Sequence, residues 1–129
     1  MSQDLELPEE VKIFLLEAYE NLDKVEQDLV LLESDPSNQD LLNSIFRSVH
    51  TIKGNSGFLG FSKLESLCHK AESLLDKLRN NIIVISADIT SALLESVDII
   101  RQILTRIETT NSEGEPDIQA VERKLAALH

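Results

Sequence analysis

The sequence predicts an all-α fold: an antiparallel up-down-up-down four-helix bundle with an additional short fifth helix at its C-terminal end. Four long segments each carry an apolar stripe that advances in steps of three and four, the seam of a helix packed against neighbours. The breaks between them are short, so consecutive helices run antiparallel. One stretch argues the other way, the β-branched run Ile82-Ile83-Val84-Ile85. It has no partner strand elsewhere in the chain and therefore reads as a buried connection.

The first stripe is Val11, Leu15, Ala18, Leu22, Val25, Leu29 and Leu32, which places a helix over about residues 8–34. Pro8 suits its first turn, and Glu9 and Glu10 complement its positive dipole end. Asp35-Pro36-Ser37-Asn38 breaks the pattern and offers caps for a second helix, about 37–56. Its core face reads Leu41, Leu42, Ile45, Phe46, Val49 and Ile52, and Gly54, Gly57 and Gly60 weaken and end it. Ser62-Lys63-Leu64-Glu65 has the form of a capping box opening a third helix, about 62–80. The third stripe is Leu64, Leu67, Cys68, Ala71, Leu74, Leu75 and Leu78, with Arg79-Asn80-Asn81 as its end. Ser86 caps a fourth helix, about 86–109, carrying Ile89, Leu93, Val97, Ile100, Leu104 and Ile107. A polar linker containing Gly114 and Pro116 leads to the fifth, about 117–128, with Ile118, Val121, Leu125 and Leu128 on one face.

Of the 129 residues, 42% are hydrophobic, which suits one globular domain with a real core but is too short for a complete ATP-using enzyme. Aromatics are only 4%, so that core is aliphatic. Twelve basic against 23 acidic residues give a net charge of −11. Nucleic acid is therefore not an expected partner, because nothing balances the phosphate repulsion. The single cysteine, Cys68, excludes an internal disulfide and suits a reducing compartment. No apolar run approaches the roughly 20 residues of a membrane span, and the N-terminus lacks a basic, apolar export signal. The expectation is a cytoplasmic domain that makes no membrane contact.

The chemistry centres on His50. Lys53 and Gly54 follow it by three and four residues, one turn along the same helix. At about 100° per residue, His50 falls roughly 110° from the centre of the apolar stripe, on its shoulder. Glu72 also lies on a shoulder, of the third helix, with His69 three residues before it and further out. Antiparallel neighbours put two such shoulders along one seam, where His50 and Glu72 could meet. An imidazole acts as a nucleophile when it is neutral and its proton sits on the nitrogen that does not attack. A carboxylate accepting from that N–H fixes the tautomer and raises ring basicity. Glu72 fits this role, or His69 acting through water. The Lys53 ammonium would stabilise the oxygens of a transferring phosphoryl group. Gly54 and Gly57 keep the surface beside His50 low for a bulky partner, since a glycine within a helix costs about 1 kcal/mol relative to alanine and asks for a reason.

Each of these residues also has a plainer account: a surface histidine, a solvated lysine, a fraying helix end, a local His69–Glu72 pair. His129 is terminal and has no expected part. Two rival functions use the same residues. A metal-binding bundle would draw on His50, Glu65, Cys68, His69 and Glu72, but carboxylate-bridged bundles use inward Glu and Glu-x-x-His pairs from several helices. Here the order is His-x-x-Glu, once, on shoulders. The other rival is a purely structural or adaptor bundle.

The stretch from Phe46 to Phe61 closely resembles the histidine phosphotransfer (HPt) domain, and more narrowly the N-terminal phosphotransfer domain of CheA-type chemotaxis histidine kinases. The family pattern is His-x-x-Lys-Gly, two small residues, then Gly and a Gly-Phe ending, here His50, Lys53, Gly54, Gly57, Gly60 and Phe61. The family's His-x-x-Glu on the third helix is matched by His69 and Glu72. Asn55 departs from the usual Gly, Ala or Ser. It is tolerated if it points to solvent and obstructs if it leans over His50. The resemblance covers about the whole chain, 1–129, as a single HPt domain. It implies that His50 accepts the γ-phosphoryl of ATP from the separate ATP-binding domain of a histidine kinase. The phosphoryl would then pass to an aspartate of a response-regulator receiver domain, within a two-component phosphorelay. Glu72 would polarise His50, Lys53 would speed the transfer, and His69 would tune the network. No Gly-rich nucleotide loop or Mg-binding acidic motif is present, so neither cofactor nor metal is expected. The chain would be a carrier and substrate, not a catalyst with ATP on its own. Ending in a helix at 129 residues, it looks like a domain excised from a CheA-type kinase.

Overall fold

The aliphatic stripes dictate the architecture. In the computed structural model, which describes residues 6–128, they form five helices, with no strand among the described residues. These are α1 (Glu9–Ser34), α2 (Gln39–Phe58), α3 (Ser62–Arg79), α4 (Ala87–Thr110) and α5 (Gln119–Ala127). His129 lies outside the described residues. Each long helix packs on its sequence neighbours, α1 closes the ring against α4, and the backbones of the diagonal pairs stand farther apart. That is the predicted four-helix bundle, with α5 packed against both α3 and α4.

Every stripe residue named above for α1, α3 and α4 is buried, as are Ile118, Val121 and Leu125. On α2, Leu42, Ile45, Val49 and Ile52 are buried, whereas Leu41 and Phe46 are only partly so. Phe14, one position off the predicted seam of α1, is also buried and meets Phe61 with ring centroids 5.9 Å apart.

The helix ends show where short-range rules hold and where they do not. Asn38 and Ser86 cap as expected, accepting from the N–H groups of Leu41 at 3.1 Å and Ile89 at 3.2 Å. α2 begins at Gln39 and runs through Gly54 and Gly57 to Phe58, two residues past its expected end. What stops it is Gly60, at φ +84°, with the N–H of Phe61 donating to the Ser56 carbonyl at 2.9 Å. Only a residue tolerant of the left-handed region closes a helix in this way. Asn81, at φ 60°, ends α3 by the same device.

Two expectations are corrected. Ser62 and Glu65 form no capping box: the turn at Gly60 places buried Phe61 at the N-cap, so Ser62 enters one residue too late to cap. The N–H groups of Lys63 and Leu64 instead donate to the two carboxylate oxygens of Glu113, at 3.0 Å each. A residue some fifty positions away thus caps α3 and ties the linker after α4 to the bundle. The run Ile82–Ile85 is only half buried. Ile83 and Ile85 pack on the core while Ile82 and Val84 are exposed, Val84 by 81%. The chain bends at Ile82 and Ile83, and alternate side chains turn to solvent, so the four do not all face inward.

Candidate functional site

The turn at residues 59–61 folds α3 directly back along α2, and the most extensive helix pairing in the bundle is between these two. His50 and Lys53, one turn apart on α2, therefore face one residue of α3, Glu72. Its carboxylate accepts from both. Nδ1 of His50 is hydrogen-bonded to Oε2, and Nζ of Lys53 donates to Oε1 at 2.6 Å. The three groups sit at graded depth. Glu72 is buried at 8% exposure, while the Lys53 side chain is 22% exposed and that of His50 is 60% exposed.

Burial alone would push the Glu72 carboxyl up. The hydrogen bond and charge of Lys53 and the contact with His50 more than offset this and hold it below the usual carboxylate range. An ionised Glu72 can only accept, so the His50 Nδ1 carries the shared proton. In the neutral ring the lone pair then lies on Nε2, and the side chain as a whole is exposed. The arrangement is an imidazole oriented by a carboxylate that is itself held by a lysine.

The other predicted residues are placed less uniformly. His69 is exposed, with Nδ1 3.8 Å from Glu72 Oε1, within reach of the charge but beyond hydrogen bonding. A side chain at Gly54 would meet nothing within 4 Å, so its smallness leaves open surface one turn from His50. Gly57 differs: a Cβ there would meet the Glu65 carboxylate at 2.5 Å, the end of an exposed side chain that is free to move aside. Asn55 borders a hollow between α1 and α2 with Glu10, Ile13, Phe14 and Phe58 and does not lean over His50. Cys68 is fully buried, and burial, with the negative charge of Glu72 nearby, pushes its thiol up to about 12. Among the described residues, no three His, Cys, Asp or Glu side chains gather as a metal would require.

Two residues at the site escape a reading of the sequence. Periodicity puts Phe46 on the core face, yet its ring lies beside the His50 imidazole, 6.0 Å between centroids and 7° between planes. Arg79, by sequence no more than a helix end, places its guanidinium 3.7 Å from the Phe46 ring centroid. The spacing of four between Phe46 and His50 is a usable signal; nothing in the sequence signals the approach of Arg79 across the helix pair.

Among the described residues, no helix is long and apolar enough to cross a membrane. Residues 9–110 match the Hpt domain family. The sensor histidine kinase CheAY of Helicobacter pylori is 39% identical over 127 residues, covering 95% of this chain and 16% of that protein. The chain thus spans about one sixth of that relative's length. The solution structure of the histidine phosphotransfer domain of CheA superposes with a TM-score of 0.82 at 32% identity, covering 90% of this chain and 88% of that one. The phosphorylated P1 domain of CheA3, in complex with CheY6 from R. sphaeroides, superposes at 0.84 with 26% identity, covering 92% and 94%. The bundle, the oriented histidine and these likenesses agree, and the chain belongs to the Hpt family as a phosphotransfer domain of the CheA type.

Proposed function

We propose that His50 is the phosphoryl carrier of this domain, and that residues 1–129 act as one HPt unit of a CheA-like kinase. The observation that carries this is the pairing of His50 Nδ1 with Glu72, which leaves Nε2 exposed as the nucleophile. The Nε2 lone pair attacks the γ-phosphorus of ATP held by a histidine kinase's catalytic domain. The P–N bond forms as the bond to the bridging oxygen breaks, and ADP leaves with that electron pair. The ring becomes an N-phosphorylated imidazolium that keeps its Nδ1 proton against the Glu72 carboxylate, so the new positive charge appears where a negative one already waits. In the second step a receiver aspartate attacks the same phosphorus, the P–N bond breaks, and the pair returns to Nε2. Lys53 keeps Glu72 ionised and adds a positive charge near the transferring oxygens. His69, 3.8 Å from Glu72, tunes the pair without a hydrogen bond to it. The related P1 domain of CheA3 forms a complex with CheY6 while phosphorylated, which supports a receiver as the acceptor here.

The test is phosphorylation by a chemotaxis-type kinase core with Mg-ATP, followed by intact mass and acid treatment, for the wild type and His50→Gln. One acid-labile phosphate, present in the wild type and absent from the variant, is the expected result. No phosphate from several kinase cores, and none in reverse from a phosphorylated receiver, would remove His50 from this role.

A further inference from the structure

A single hydrogen bond at Nδ1 does not fix an imidazole, because the ring can still turn about that bond. In-line attack on phosphorus requires the Nε2 lone pair, which lies in the ring plane, to point at the incoming group. Something else must set that plane. Helical side chains lean toward the helix N-terminus, so His50 lies over the residue four positions earlier. That residue is Phe46, half-buried, with its ring 7° from parallel to the imidazole. Phe46 is held in turn from the other helix. Arg79, the last residue of α3, lays its guanidinium 3.7 Å from the Phe46 centroid, while its Nε donates to Asp76 Oδ1 at 2.9 Å. A guanidinium over an aromatic face is attractive and directional. The series Asp76, Arg79, Phe46, His50 therefore runs across the α2–α3 seam, separate from the Lys53–Glu72 contact and reaching the same ring.

We propose that Phe46 and Arg79 are positioning residues for phosphoryl transfer: Arg79 pins the Phe46 ring, and the Phe46 face sets the plane in which the His50 imidazole presents Nε2. The inference rests on His50 being the phosphoryl carrier. Neither residue touches the phosphoryl group; both act through the orientation of the imidazole. Loss of the aromatic face lowers the fraction of ring orientations competent for attack, which acts on turnover and not on docking of the kinase.

The experiment uses the full chain as wild type, Phe46→Leu, Phe46→Tyr, Arg79→Met and His50→Gln. Phosphorylation by a kinase core is resolved into kcat and KM, and the ring-proton NMR signals of His50 are followed alongside thermal melting. Phe46→Leu should lower kcat about three- to tenfold with KM within about twofold. It should also move the His50 ring protons as the aromatic ring current disappears. Phe46→Tyr, which keeps the face, should restore both. Arg79→Met should shift kcat and the His50 signals in the same direction by a smaller factor. Wild-type kcat in folded Phe46→Leu, or a loss that lies wholly in KM, overturns the proposal, as does a tyrosine variant that fails to rescue. Should Phe46→Leu not fold, Arg79→Met decides by the same two readouts. Phosphate on His50→Gln would instead overturn the carrier assignment itself.

Discussion

Replacing Glu72 with glutamine separates the charge of this residue from its shape. The carboxylate meets two donors at once, Lys53 Nζ at Oε1 and His50 Nδ1 at Oε2. A glutamine amide offers one oxygen and one NH2 donor, so only one of the two can be accepted. An ammonium binds an amide oxygen more strongly than a neutral imidazole N–H does, so the oxygen turns to Lys53. The NH2 then faces Nδ1 and favours the tautomer with the proton on Nε2, which removes the outward lone pair. A hydrogen bond to a charged group contributes about 1.5–3 kcal/mol, and each 1.36 kcal/mol is tenfold in rate, so phosphorylation should slow about ten- to hundredfold. Stability should change by about 1–2 kcal/mol, at or below the low end of that range, because Lys53 keeps a partner and lies close enough to solvent to relax. Single-turnover phosphorylation by a saturating kinase core, with urea unfolding as the control, reads both quantities. A folded Glu72→Gln protein phosphorylated within twofold of the wild-type rate would refute the tautomer argument.

Because Glu72 is held below the ordinary value of 4.5, its contribution to stability is complete above that pH and lost as pH falls through the depressed value. As pH falls below about 4.5 the wild type should therefore lose more stability than Glu72→Gln, and parallel urea-unfolding profiles would contradict this. Ile45, fully buried on the core side of α2, should cost about 2–5 kcal/mol when cut to alanine, with the transfer rate of the folded fraction unchanged. Glu113→Ala removes the acceptor for two N–H groups of α3 and should destabilise by about 1 kcal/mol in chemical unfolding, leaving phosphorylation intact. No measurable change would mean that water caps that end equally well.

The core is legible in the sequence because it rests on periodicity, and periodicity is local. Leu64 to Leu78 and Ile89 to Ile107 declare their faces whatever they pack against, and the stripe residues of both are buried. The His50–Glu72 contact is legible for a related reason: two shoulders on antiparallel neighbours can share a seam, although sequence alone does not bring them together. Contacts between residues far apart in the chain are not legible. Glu113 gives no sign that it caps α3, and Ser62 displays a cap it does not make, because the turn at Gly60 moves the helix start by one residue. Arg79 is hidden in the same way, since its partner Phe46 lies on another helix. Gly57 looks like a second opening beside His50, while the Glu65 carboxylate from α3 lies over it.

The depth of Glu72 explains why the site needs a lysine as well as a carboxylate. An ionised carboxylate at 8% exposure would by itself be forced toward its neutral acid, and a neutral acid could donate to Nδ1 and reverse the tautomer. Moving the carboxylate to the surface would avoid that, but water would then compete for its lone pairs and the imidazole would lose its fixed orientation. Lys53 resolves the conflict by pairing with the oxygen that His50 does not use, which keeps Glu72 charged without exposing it. The pair is formed within the α2–α3 seam before any phosphate arrives, so no part of the scaffold must reorganise when the ring acquires positive charge. A domain that must hand over its phosphoryl as readily as it accepts it gains from this arrangement. On the proposed role of His50, the same carboxylate that directs the Nε2 lone pair outward would steady the imidazolium of the phosphorylated ring, and both states leave the aliphatic core of the bundle untouched.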